Sequence, residues 1–152
     1  IILGSEEDGI SEELLALADH KLKIPIAETE IPGLTGAAPE ERHGHFDGIP
    51  LDVPCSNTGV LRKRVDARWR MTPESFLELR ALQLNILENA IPCLKRDGRL
   101  VYSTCSIDPE ENTKLIQEFL TTHPELTLVE EKQITPFEHQ TDGAYVALIK
   151  RR

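Results

Sequence analysis

Apolar residues recur along the chain in two spacings, as short runs and at helical intervals. Short apolar runs between turn residues read as strands, and apolar residues three or four apart read as one face of a helix. Residues 1–3 (Ile-Ile-Leu) predict a short strand, and an acidic turn follows from Gly4 to Gly9. Ser11 is placed to cap a helix whose Leu14, Leu15 and Ala18 form an apolar face. Residues 24–27 predict a second strand, weakened by Pro25, and 31–45, with Pro, Gly and His, a loop. Residues 48–51 predict a buried strand ending at Asp52. Pro50 within it has no amide proton, so its nitrogen must face a gap or an edge.

Further on, Thr72-Pro73-Glu74 marks a helix start, with Thr72 as N-cap and Pro73 in the first turn. Leu79, Leu82, Ile86 and Ala90 keep helical spacing and predict one buried face, ending or kinking near Pro92. Asp97-Gly98 predicts a turn into a strand over 99–104. Asp108-Pro109-Glu110-Glu111 reads as a capping-box-like start for another helix, with Leu115, Ile116 and Phe119 inward. Residues 126–129 and 144–149 predict the last strands, with Pro136 in the loop between them. Alternating strands and helices imply an α/β sheet, and 152 residues suit a single domain over 1–152.

Two runs carry candidate chemistry: Leu51-Asp52-Val53-Pro54-Cys55-Ser56 and Tyr102-Ser103-Thr104-Cys105-Ser106. Each places a cysteine just past a predicted strand. A strand–helix–strand crossover makes neighbouring strands parallel, so their carboxyl ends meet at one edge, where ligands of open α/β sheets bind. Cys55, Cys105 and the carboxylate of Asp52 are therefore expected in one cleft. Cys93, in Ile91-Pro92-Cys93-Leu94, reads as a core residue.

Asp52-Val53-Pro54-Cys55-Ser56-Asn57-Thr58-Gly59, Tyr102-Ser103-Thr104-Cys105-Ser106 and Pro109-Glu110-Glu111-Asn112 together resemble the Sun/Fmu-type RNA (cytosine-5)-methyltransferases. The resemblance runs in order from about Phe46 to the carboxyl terminus. It implies a Rossmann-like sheet, S-adenosylmethionine as methyl donor and cytosine in ribosomal or transfer RNA as substrate. Carbon 5 of cytosine is a poor nucleophile, and a thiolate added at carbon 6 makes it enamine-like, splitting one hard step into easier ones. By resemblance Cys105 is the nucleophile, Cys55 assists release of the product, and Asp52 faces the base edge and the cofactor. Taken alone, Asp52 could equally cap a turn, and Asn57-Thr58-Gly59 could be a plain turn. Ser56 and Ser106 read as hydroxyls that satisfy local backbone groups. Asp142-Gly143-Ala144-Tyr145 resembles the family's closing Asp-Gly-aromatic strand, with Asp142 near the active-site loop.

The family also carries a Gly-rich cofactor loop, of Pro-Gly-Gly-Lys type, ahead of these motifs, and no such run occurs here. The start of the chain instead matches the family's second strand, so the sheet is expected to be truncated at its N-terminal strand. Among the acids that follow, Glu6 is nearest the strand and is the candidate for the ribose, with Glu28 or Glu30 after the third strand. Unpaired edges of such a sheet invite self-association. A non-catalytic remnant that binds RNA or a protein partner is the competing reading. A thiol redox protein is disfavoured because no Cys-x-x-Cys occurs.

The net charge of −9 argues against nucleic acid, but its distribution changes that picture. Residues 1–50 hold eleven acids and three bases, whereas 51–152 hold fifteen and fourteen. Arg62, Lys63, Arg64, Arg68 and Arg70 crowd into nine positions around Trp69. Arg62, Arg64 and Arg68 are the candidates for RNA phosphates, and Trp69 is either a stacking platform or core. Three widely spaced cysteines suit a reducing cytoplasm. His43, His45 and His139 lack ligand spacing, so no metal is expected. No run approaches the ~20 apolar residues of a membrane span, so no membrane role is expected.

Overall fold

A computed structural model describes residues 43–152. The predicted elements over 1–3, 11–18 and 24–27, and the candidates Glu6, Glu28 and Glu30, lie outside the described residues. Among the described residues four strands, β1 (Phe46–Asp52), β2 (Leu94–Thr104), β3 (Leu126–Ile134) and β4 (Ala144–Arg151), form one sheet in the order β1-β2-β4-β3. The first pair is parallel and the other two are antiparallel. The helices are α1 (Ala67–Arg70), α2 (Pro73–Ala90), α3 (Thr113–Thr122) and α4 (Pro136–His139).

β1 alternates as a half-buried strand should, with Ile49 and Leu51 inward. Val53 donates its amide to Ser103 of the β2 strand. By alternation, the nitrogen of Pro50 faces the opposite margin, where no strand pairs among the described residues. The missing donor therefore costs no ladder bond. β2 starts earlier than the sequence predicts. Its bonds run from Leu94, and Asp97 sits inside the strand with φ 63°. The register slips there, from Phe46 opposite Leu94 to Gly48 opposite Arg99. Asp97-Gly98 is thus a kink in a continuous strand and not a turn that precedes it. A Cβ on Gly98 would lie 2.8 Å from the Leu94 side chain, so glycine permits the close fold-back.

Thr72 caps α2 as predicted, in a reciprocal box with Ser75. The buried face is rotated from the predicted one. Gln83, Ile86, Leu87 and Ala90 are buried, while Leu79 and Leu82 are only partly so. The helix ends at Ala90 and passes into a 3-10 turn, Ile91–Cys93, at the predicted proline. α3 begins at Thr113, five residues after Asp108. Asp108 instead organises a turn, its side chain accepting from the Glu110 amide. Leu115, Ile116 and Phe119 point inward as expected, and join Ile49, Leu51, Leu100, Tyr102 and Ile149 in the core. β3 and β4 are longer than predicted, and Pro136 opens the one-turn helix α4. Among the described residues no helix is long and apolar enough to cross a membrane.

His123 closes α3 and bonds Glu88 of α2 at 2.9 Å and Glu125 at 3.1 Å. Burial lowers its pKa, but the two carboxylates together outweigh burial and raise it above the usual histidine value. A raised folded-state pKa stabilises the fold fully below the unfolded value, about 6.5, and this is lost as pH rises through the folded value. Urea midpoints should therefore fall as pH rises from about 6.5, and His123→Gln should flatten that slope. An equal slope in both proteins would exclude His123 as its source.

Candidate active site

The two cysteines leave adjacent parallel strands at the same edge. Asp52 and Ser103 are register partners, Cys55 follows β1 and Cys105 follows β2. Their sulfurs are 3.2 Å apart, and neither forms a disulfide. Cys55 is buried and Cys105 half-buried. Hydrogen bonding with the Cys105 thiol, then burial, pushes the Cys55 thiol far above its ordinary range. Cys55 therefore keeps its proton at neutral pH. The Cys105 thiol in turn donates to Asn57 Oδ1 at 3.0 Å. Asp52 is exposed at the strand end, and accepts from the Ser103 hydroxyl at 3.2 Å. It does not cap a turn.

Behind the cysteines lies a buried polar cluster. Glu111 has no exposed surface, and its carboxylate accepts from the Ser56 amide at 2.9 Å, the Ser56 hydroxyl at 2.5 Å and Gln83 Nε2 at 2.9 Å. Gln83 also donates to the Pro54 carbonyl at 2.8 Å. Ser56 and Ser106 are buried and meet at 3.2 Å, with Thr58 3.0 Å from Ser106. These hydroxyls thus join segments distant in sequence, beyond the local backbone role expected. Asn112 bonds Thr104, the Ser106 carbonyl and Gln133, fixing the turn after Cys105.

Asn57-Thr58-Gly59 shapes the site and is not a plain turn. The Gly59 amide donates to the Cys105 carbonyl at 2.9 Å, and the Gly143 amide donates to the Gly59 carbonyl at 2.8 Å. A Cβ on Gly59 would stand 2.6 Å from the Cys105 oxygen and 2.7 Å from the Gly143 oxygen. Three backbones cross where no side chain fits.

A family model described as 16S rRNA methyltransferase RsmB/F matches residues 10–150. The chain belongs to this RsmB/F family. It is 40% identical over 152 residues to the ribosomal RNA small subunit methyltransferase B of Yersinia enterocolitica, covering 93% of this chain and 35% of that protein. The chain thus spans about a third of the length of the curated relatives it matches. The crystal structure of PH0851 superposes with a TM-score of 0.69 at 36% identity, over 72% of this chain and 27% of that one. The crystal structure of NSun6 from Pyrococcus horikoshii with SFG gives a TM-score of 0.59 at 26% identity, over 68% of this chain and 29% of that one. The mixed four-strand sheet is accordingly part of a Rossmann-like methyltransferase sheet.

Within this RsmB/F chain the basic run lies beside the site. Arg62 and Lys63 pair with Asp142 at 3.3 and 2.5 Å, and the Lys63 ammonium holds the Asp142 carboxyl below its usual range. Asp142 immediately precedes Gly143, so it ties the run to the crossing at Gly59. Trp69 is not core: it is 82% exposed, and the Arg68 guanidinium lies 6.0 Å from its ring. Arg64 is half-buried. Cys93 is core, at 3% exposure in its 3-10 turn. Sequence reasoning missed Gln83, and read Glu111 as part of a helix start and of the family motif, not as a buried acceptor. The available signal was a glutamine at helical spacing on an apolar face. Among the described residues no group of three metal-ligating side chains gathers.

Glu111→Ala leaves the Ser56 amide unpaired in the interior and removes one Gln83 bond. It should lower unfolding free energy by about 2–4 kcal/mol, read by urea denaturation. Gly59→Ala should cost about 1–3 kcal/mol because the obstructing atoms are backbone. Either variant unfolding at the wild-type midpoint would contradict the geometry.

Proposed function

We propose that this chain is catalytic-core sequence of an RNA (cytosine-5)-methyltransferase acting through a covalent cysteine adduct. The observation that carries this reading is the pair of thiols 3.2 Å apart at the carboxyl edge of two parallel strands. Ribosomal RNA is favoured over transfer RNA by the names of the family and of the Yersinia relative. S-adenosylmethionine as donor is supported by NSun6, whose structure carries SFG, an analogue of it. When bound, that cofactor supplies an electrophilic methyl group. The exposed Asp52 carboxylate fits a partner of this kind. It takes one hydrogen bond from Ser103 and retains acceptor sites for an ammonium or hydroxyl. Asp52, with Glu6 as a further candidate, would hold the cofactor.

Cys105 is the better nucleophile of the pair, because it is half-buried and within reach, whereas Cys55 is buried and held protonated. Once the Cys105 proton has passed to solvent, its sulfur adds to carbon 6 of the cytosine. A proton taken up at nitrogen 3, whose N–H the Asp52 carboxylate can accept, drains the charge placed on the ring. Methyl transfer would take place at carbon 5, whose own proton then passes to a solvent base. The carbon–sulfur bond breaks, its electrons returning to Cys105. Cys55, still protonated and touching Cys105, can donate its S–H to the departing sulfur. That accounts for a role in release. Arg62, Arg64 and Arg68 contact RNA phosphates, and Trp69 offers its exposed face to a base.

Cysteine roles are tested with RNA bearing 5-fluorocytosine, whose carbon 5 cannot lose a proton. Cys105→Ala should abolish the trapped adduct on a denaturing gel, and an adduct at wild-type level would assign the nucleophile elsewhere. Cys55→Ala should attack ordinary cytosine and accumulate covalent complex; loss of all covalent capture would place Cys55 in the addition step. Trp69→Ala should weaken RNA binding by about 1–3 kcal/mol, and unchanged affinity in a filter assay would remove Trp69 from the interface.

A further inference from the structure

Asn57 has φ 61°, in the left-handed region where glycine is favoured and asparagine is tolerated. Glycine would satisfy the backbone alone, so the side chain must be explained by what it touches. Its Nδ2 donates to the Cys55 carbonyl at 3.1 Å, and its Oδ1 receives the Cys105 S–H at 3.0 Å. The first bond orients the amide. Only the nitrogen can donate to a carbonyl, which leaves the oxygen for Cys105. The Cys105 sulfur thus lies between two held groups, Cys55 Sγ at 3.2 Å and Asn57 Oδ1. An acceptor aimed at a thiol favours the neutral form over the thiolate.

We propose that Asn57 is a positioning residue for Cys105: anchored on the Cys55 carbonyl, its amide oxygen receives the Cys105 S–H and holds that sulfur beside Cys55 as a thiol in the substrate-free protein. The catalytic meaning of this rests on Cys105 being the nucleophile; the positioning is a property of the resting chain. After the proton leaves, the amide oxygen repels the thiolate it had held. The sulfur then gains by leaving Asn57 for the ring carbon of a bound base. Asn57 thereby links deprotonation of Cys105 to its release for attack, while the anchor on Cys55 keeps the loop in place.

Several charged groups belong to the elements packed around the pair. Asp52 ends β1, and Glu111 lies behind the Cys55 loop. Arg62, Lys63 and Asp142 sit beyond the Gly59–Gly143 crossing. Together with the Cys55 thiol, they are unchanged by substitution at residue 57. A changed titration of Cys105 therefore reports the amide.

The test is the rate of iodoacetamide alkylation at Cys105, followed by peptide mass spectrometry from about pH 6 to about pH 10, in the full chain without RNA. Asn57→Gly removes the acceptor and suits the backbone. Its alkylation midpoint should fall by about 1 pH unit, and a midpoint that fails to fall overturns the proposal. Should Asn57→Gly not fold, judged by circular dichroism, Asn57→Ala decides. That variant also lacks the acceptor and adds no charge, so its midpoint should likewise fall by about 1 pH unit; an unchanged or raised midpoint overturns the proposal. Methyl transfer is not read here. Failure of Cys105 as nucleophile would appear separately, as a persistent 5-fluorocytosine adduct in Cys105→Ala.

Discussion

The fully buried carboxylate of Glu111 is the constraint on which the two-cysteine site depends. A carboxylate taken out of water must be given hydrogen-bond donors, or its burial costs several kcal/mol. Here the donors come from two other parts of the chain: the amide and hydroxyl of Ser56, and the amide of Gln83 on α2. Satisfying Glu111 therefore pulls the loop after β1 and the flank of α2 onto the segment that follows β2. Cys55 precedes Ser56 and Cys105 precedes Ser106, so closing the polar cluster brings the thiols together. The Tyr102 hydroxyl adds a bond to the Glu111 backbone carbonyl at 2.8 Å, holding the same segment to the sheet.

A second constraint acts from the other side. The backbones at Gly59, Cys105 and Gly143 approach too closely for a side chain at either glycine. The β4 lead-in is thus packed against both cysteine loops, and Asp142 is carried to the edge of the site. Its ion pairs with Arg62 and Lys63 are exposed, and exposed pairs add only about 0–1 kcal/mol. Their consequence is placement: the basic run is held beside the cleft despite an acidic net charge. The field that an approaching anion meets is set by such local arrangement more than by the total.

The thiols themselves are made unlike by their surroundings. Cys55 is buried, hydrogen-bonded to its neighbour and held protonated, whereas Cys105 is half-buried and reachable. One sequence motif, a cysteine after a strand, therefore yields two chemical characters. The difference follows from depth and from the order of the hydrogen bonds, Cys55 to Cys105 to Asn57.

Local signals were legible in the sequence. Apolar runs marked the strands, Thr72-Pro73 marked the start of α2, Pro92 its end, and the strand–helix–strand order placed Asp52, Cys55 and Cys105 at one edge. These depend on neighbours in the chain, and the crossover rule carries them into space. Other features were not legible. Ser56 and Glu111 are 55 residues apart, and Gln83 and Glu111 are 28 apart. Nothing in Asp108-Pro109-Glu110-Glu111 distinguishes a helix cap from a buried acceptor until the Ser56 loop arrives. The apolar stripe of α2 likewise hid Gln83, because helical spacing weighs hydrophobicity and not hydrogen bonds. Trp69 could be core or surface by composition, and only the packing of its neighbours left it exposed. The sequence by itself thus determined which elements form and which end of the sheet carries the chemistry. The tertiary structure decided which polar groups are buried and which cysteine is left within reach, since both depend on depth and on partners that only the fold brings into contact.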